Sequence, residues 1–170
     1  LEREDYADTV WETDADKVDY SLIYDRCFGV LRAAYSRFRA TKFPAYRRFC
    51  NDNKDWLEEY ALFMALKEQN GGAPWYDWKN DIAMHRPKAV AEAKKELKKE
   101  IGFHKFVQFE FYRQWKALKK YANDNGISII GDIPIYCALD SVEVWASPKL
   151  FMLDRKHLPT AVAGCPPDDF

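Results

Sequence analysis

Apolar residues recur at helical spacing over most of this chain. Leu22, Ile23, Cys27, Val30, Leu31, Ala34 and Phe38 mark one face of a helix that runs to about residue 39, with Asp19 placed to cap it. Arg26, Arg32 and Arg37 fall largely off that stripe and are expected in solvent. Pro44 opens a short helix over 43–50. Asn53 is placed to cap a helix over 54–69, which Gly71-Gly72 stops. Trp56, Leu57, Tyr60, Phe63, Met64 and Leu66 cover much of its circumference, so it must make contacts on more than one side. Pro87 opens a charged helix over 87–99 whose inner face is Val90, Leu97 and small alanines. Over 103–123, Phe103, Phe106, Val107, Phe109, Phe111, Tyr112, Trp115, Leu118 and Tyr121 leave little polar surface, so that helix must lie between partners. Gly102 is placed to bend or separate the two segments.

The period changes once. Asn123-Asp124-Asn125-Gly126 stops the long helix, and Ile127-Ser128-Ile129-Ile130 then reads as a buried strand, about 127–131, ending in Gly131 and the carboxylate of Asp132. A strand that ends in a glycine and an acid is what a (β/α) barrel uses to hold a polar group at the mouth of its core. One strand against roughly five helices is too few, because a strand needs neighbours to satisfy its backbone groups. The expected fold class is therefore mostly α with a little β, a piece of a larger sheet protein.

Composition narrows the function classes. The 170 residues carry 26 basic and 27 acidic side chains, a net charge of −1 that offers no electrostatic footprint for nucleic acid. The basic run Lys94-Lys95 with Lys98-Lys99 alternates with Glu92, Glu96 and Glu100, which fits charge pairing along a helix face. No apolar run approaches the length of a membrane span, and no signal peptide is visible. Cys27, Cys50, Cys137 and Cys165 share no CxxC spacing and read as reduced cysteines of a cytoplasmic protein. His85, His104 and His157 show no paired ligand spacing, so no metal site is expected. Aromatic residues make up 16% of the chain, which suits a core built of rings and equally a carbohydrate groove. Trp75-Tyr76-Asp77-Trp78 poses the same choice locally: a loop pinned by its rings, or part of a sugar groove.

Several stretches together carry a family resemblance. They are Gly131-Asp132-Ile133-Pro134-Ile135-Tyr136, Asp140-Ser141, Val144-Trp145-Ala146, and Val162-Ala163-Gly164-Cys165-Pro166-Pro167-Asp168. Trp56-Leu57-Glu58-Glu59-Tyr60-Ala61-Leu62-Phe63 and the segment 108–115 extend the match upstream. The chain resembles the 4-alpha-glucanotransferases, the amylomaltase or disproportionating-enzyme family of the α-amylase clan. The resemblance implies a fragment of a (β/α)₈ TIM-barrel enzyme. Residues 1–16 would be an extended lead-in, 17–101 a helical insertion subdomain, and 102–170 a barrel helix, a barrel strand and the start of an active-site loop. It implies a maltodextrin or starch-type glucan as substrate and no cofactor; charge and hydropathy exclude a nucleic acid or membrane partner.

Glucan transfer with retention needs a carboxylate nucleophile and a second carboxyl group as general acid/base, about 5–5.5 Å apart. In the family the nucleophile belongs to an Arg-x-Asp-His motif on a later strand, and the acid/base Glu follows later still. No Arg-x-Asp-His occurs in these residues, so the chain is expected to stop before either group and to hold no catalytic residue. The candidates it offers by resemblance are substrate-groove or supporting residues: Asp132, Pro134, Asp140, Ser141, Trp145, Asp168 and Phe170. Asp132 fits a hydrogen-bonded structural acid or support for the catalytic constellation. Asp140 and Ser141 fit a helix N-cap equally well. Trp145 fits core packing or a groove wall. Asp169 stands where relatives often carry an aromatic ring, which weakens a stacking role there. Exposed apolar surface around 103–115 and along the strand edges predicts self-association of the isolated fragment. A different class of function, a non-catalytic helical carbohydrate-binding or scaffold module, is the alternative.

Overall fold

The computed structural model describes residues 1–7, 10, 11, 14, 16–161 and 164. Among these residues seven α-helices follow in order: α1 Tyr20–Arg37, α2 Pro44–Asp52, α3 Lys54–Gln69, α4 Asn80–Ala83, α5 Pro87–Glu96, α6 Lys98–Asp124 and α7 Val142–Ala146. Among the described residues there is no sheet; the β-type pairings are isolated bridges, Asp14 with Lys17 and Leu153 with Pro159.

The helices start and stop for local reasons. The Asp19 carboxylate accepts the Leu22 N–H at 3.0 Å and caps α1. Pro44 and Pro87 stand in the first turns of α2 and α5, where a missing N–H costs nothing. Gly71 and Gly72 end α3 with φ of +63° and +81°, a conformation side chains resist. Asn53 does not cap α3 with its side chain. Its amide donates to the Phe49 carbonyl at 2.8 Å and its oxygen accepts the Trp56 indole N–H at 3.1 Å, which fastens α2 to α3.

The wide apolar face of α3 is the centre of the molecule. Leu57, Ala61, Leu62, Phe63, Ala65 and Leu66 are all buried. Around it gather Val90 and Ala93 of α5, Leu97, Ile101 of α6, the rings of Trp75 and Trp78, and Val144 and Trp145 of α7. A second cluster of rings joins Tyr46 to Phe106 and Phe109, with Phe38, Phe49 and Tyr35 against it. The ring pairs there meet tilted or edge-on at 4.8–5.8 Å, for example Phe38 with Phe106 and Tyr46 with Phe109.

The packing adds partners that the sequence did not show. Arg32 keeps 40% of its side chain exposed yet bonds Glu68 at 2.6 Å and Glu100 at 2.8 Å and lies 4.0 Å over the Phe103 ring, docking α1 onto α3 and α6. Arg37 is exposed, as expected, and pairs with Asp5. The charges of α5 and the start of α6 pair across helices, Lys94 with Glu59, Glu96 with Gln69 and Glu100 with Arg32. Gly102 does not break the chain, which turns instead at Leu97; it sits inside α6, where a Cβ would lie 2.2 Å from the Tyr35 hydroxyl.

The predicted buried strand is absent. Ile127–Gly131 is exposed and forms no ladder, and Ile130 is 94% exposed. An extended segment becomes a strand only when neighbours pair its N–H and C=O groups, and none of the described residues does so. The barrel is accordingly not formed within these residues. The apolar surface on α6 also differs from expectation. Phe103, Phe106 and Phe109 are buried, while Phe111, Trp115, Leu118 and Tyr121 lie open.

The close approach at Gly102 makes a prediction. Gly102→Ala should destabilise the protein by about 1–3 kcal/mol through overpacking. In a Tyr35→Phe background the nearest atom is the ring carbon 3.4 Å away, and there the same change should raise stability by up to about 1 kcal/mol through helix propensity. Chemical denaturation of the four proteins checks the change of sign.

Candidate functional site

After Gly126 the chain runs outward and returns to the helical body at Leu139. Ser141 accepts the Val144 N–H at 3.4 Å and caps α7, and this turn directs Val144 and Trp145 inward. Trp145 is fully buried. Its ring lies 5.7 Å from Phe63, 5.9 Å from Trp78 and 4.4 Å, edge-on, from His85. Its indole N–H donates to the Ile82 carbonyl at 2.8 Å, so its one polar atom is satisfied.

Asp140 forms the second attachment. One carboxylate oxygen accepts the Trp75 backbone N–H at 3.2 Å, and the other takes the Lys67 ammonium at 2.6 Å. Lys67 also donates to the carbonyls of Gly72 at 2.9 Å and Ala73 at 3.2 Å. Trp75 in turn donates its indole N–H to the Leu139 carbonyl at 2.6 Å. The end of α3, the glycine turn and the returning chain are thereby laced together by charge-assisted bonds. Trp75 and Trp78 are both buried, so the Trp75–Asp77 turn is pinned to the core by its rings, with Tyr76 left exposed.

Behind Trp145 stands a charged relay. Glu59 accepts from Lys94 at 2.9 Å and lies 2.9 Å from His85 Nε2. The His85 bond, then the Lys94 bond and charge, hold the Glu59 carboxyl down to about 2 against the desolvation of its site. His85 keeps a left-handed backbone, φ +50°, which aims its ring at Trp145. His104 is the other inward histidine. It is 3% exposed, and burial lowers its pKa although Glu68 lies 3.4 Å away. Among the described residues no cluster of His, Cys, Asp or Glu could hold a metal ion.

Asp140, Ser141 and Trp145 are thus brought together at one docking point, where Trp145 is packed core. Asp132 and Pro134 lie on the exposed reach before it, and Asp132 accepts only its neighbour Ile133 N–H, at 2.8 Å. Asp168 and Phe170 fall outside the described residues, as do Cys165, Pro166, Pro167 and Asp169. Beside α7 an apolar cleft of about 570 Å³ opens between the outgoing and returning limbs, lined by Ile135, Tyr136, Leu139, Leu150 and Met152 among others. No carboxylate lines it. Sequence reasoning gave no role to Lys67, Glu59 or His85, because the partners that give them one, Asp140, Lys94 and Glu59, lie 26 to 73 positions away.

All 170 residues match the sequence profile of glycoside hydrolase family 77, described as 4-alpha-glucanotransferase. The chain belongs to the 4-alpha-glucanotransferase family. It is 42% identical to the 4-alpha-glucanotransferase of Clostridium butyricum over its whole length and 47% identical to that of Thermus thermophilus over 91% of it. The amylomaltase of Streptococcus agalactiae, solved in complex with acarbose, superposes on the whole chain with a TM-score of 0.89 at 39% identity. The chain spans about a third of these glucanotransferases: 35%, 32% and 35% of their lengths respectively. No helix among the described residues is long and apolar enough to cross a membrane.

Two measurements follow. Trp145→Ala should cost about 3–5 kcal/mol, and Trp145→Phe far less, read from urea midpoints. Glu59 has a folded pKa below its ordinary 4.5, so its stabilisation is complete above pH 4.5 and is lost as pH falls towards about 2. Across that window Glu59→Gln should show a shallower loss of stability than the parent.

Proposed function

We propose that this chain is the part of a retaining 4-alpha-glucanotransferase that builds one wall of its glucan groove, the whole enzyme passing α-1,4-glucan segments between maltodextrins. The observation that carries this reading is the match along the entire chain, in sequence and in backbone, to enzymes of that name, one of them holding acarbose. The helical body corresponds to an insertion on a (β/α)₈ barrel, and 127–131 to a barrel strand whose neighbours come from elsewhere in the protein. That assignment gives the open Ile127, Ile130, Ile133 and Ile135 a physical reason, since strands buried on both faces read as near-continuous apolar runs.

The reacting carboxylates are assigned to residues outside these 170. Asp140 has both oxygens engaged, by Lys67 and by the Trp75 N–H, which suits a holding role and not a nucleophile. Asp132, at the end of the proposed strand, supports the catalytic groups or shapes the loop. Asp168 and Phe170 are assigned, by resemblance, to contact with the glucan. On this account Lys67 and Asp140 position the chain that leads into the groove.

The full-length protein should convert maltotriose to glucose and longer maltodextrins with the α configuration retained, followed by chromatography and proton NMR. Glucan binding with no turnover would overturn the reading in favour of a carbohydrate-binding module. Within the active protein, Lys67→Met and Asp140→Asn should each lower kcat/KM by about 10²-fold through misplacement, and the double variant little further. The 170-residue chain alone should be inactive and should self-associate through the open faces of α6 and 127–135; a monodisperse monomer in light scattering would contradict the latter.

A further inference from the structure

A second cleft, of about 460 Å³, lies on the other side of the ring turn, between the Trp75–Asp77 turn, α4 and the 155–158 turn. Its lining includes Trp75, Tyr76, Asn80, Arg86, Arg155 and Lys156. Three cations therefore face one concavity in a chain whose net charge is only −1. They come from two stretches some seventy positions apart in sequence, so the grouping is made by the fold. No carboxylate lines the cleft. The nearest carboxylate in sequence to the two later cations, Asp154, feels the charge of Lys156 and accepts the N–H groups of Lys156 at 2.8 Å and Leu158 at 2.9 Å within its own turn. Among the described residues none of the three cations has an ion-pair partner.

The lining is also aromatic, with Trp75, Tyr76 and Trp78. Trp75 is held rigid by its bond to Leu139 and stands edge-on to Tyr76 at 5.6 Å, which leaves the Tyr76 ring 41% exposed beside the cleft. Asn80 adds an amide that both donates and accepts. Guanidinium forks and an ammonium recognise phosphate oxygens, an exposed ring packs on the C–H face of a pyranose, and an amide reads hydroxyl groups. We propose that this cleft binds a phosphate monoester carried on a glucose unit. Arg86, Arg155 and Lys156 hold the phosphate, and Tyr76 and Asn80 hold the sugar. The phosphorylated unit is either a free sugar phosphate or part of a phosphorylated glucan.

Binding tests this without reference to turnover. The full-length protein is titrated calorimetrically with glucose 6-phosphate, inorganic phosphate and glucose. It is also run in affinity gels containing a phosphorylated glucan, or the same polymer after phosphatase. The comparison proteins are Tyr76→Ala and the triple change Arg86→Ser, Arg155→Ser, Lys156→Ser; these side chains are exposed, and an unchanged melt confirms folding. The proposal expects glucose 6-phosphate to bind, weakening with salt, and the triple variant to lose about tenfold or more in affinity. If the free sugar phosphate is not the ligand, extra retardation on the phosphorylated polymer, lost in the triple variant, supports the polymer as its source. No binding in either format, or equal binding by the triple variant, overturns the proposal. Inorganic phosphate binding as tightly as glucose 6-phosphate, with Tyr76→Ala indistinguishable from the parent, overturns its sugar component.

Discussion

The burial of Trp145 is the interaction on which the arrangement of this chain depends. Before α7, the stretch from Ser128 to Tyr136 is exposed and makes no backbone–backbone hydrogen bond among the described residues. At α7 the chain becomes part of the same core as α3, α5 and the ring turn. A tryptophan can do this only where its large apolar area is covered and its N–H is answered, and both conditions are met, by Phe63, Trp78 and His85 and by the Ile82 carbonyl. The Lys67–Asp140 pair fixes the register of that docking from the neighbouring side. Together they turn a helical body into a mount for the chain that precedes it.

The mount explains why charged residues gather where they do. Lys67 neutralises the carbonyls of the glycine turn and the Asp140 carboxylate at once, so the end of α3 and the returning limb cannot separate without exposing several unsatisfied groups. Glu59, His85 and Lys94 do the same for the loop between α4 and α5, placing an imidazole edge against the indole. Arg32 repeats the device for α1, which has no fully buried residue and relies on its guanidinium to join Glu68, Glu100 and the Phe103 face. Ion pairs of this half-buried kind add specificity of docking to helices whose apolar stripes are modest.

Much of the helical framework was legible in the sequence because period, proline and glycine act locally. Asp19, Pro44, Pro87 and Gly71-Gly72 set helix ends from their own backbone chemistry. What failed was non-local. Arg32 and Lys94 look like solvated charges until α3 is placed beside them. Gly102 looks like a break, yet its missing Cβ makes room for a hydroxyl from α1. The Ile-rich stretch has the composition of a buried strand, but burial and pairing are properties of neighbours, and none of the described residues supplies them. Of the site, Asp140, Ser141 and Trp145 stand in one short motif-bearing stretch and dock together, while their partners Lys67 and His85 carried no signal.

The measurement that tests this account most directly is hydrogen exchange at the Trp145 indole. The chain has six tryptophans, so indole ¹⁵N labelling gives a short spectrum, and Trp145→Phe assigns the resonance. If α7 is mounted as described, the Trp145 indole proton exchanges as slowly as the core amides of α3 around Leu62. An indole proton that exchanges within the dead time while those amides stay protected would mean that the returning limb is not anchored to the helical body.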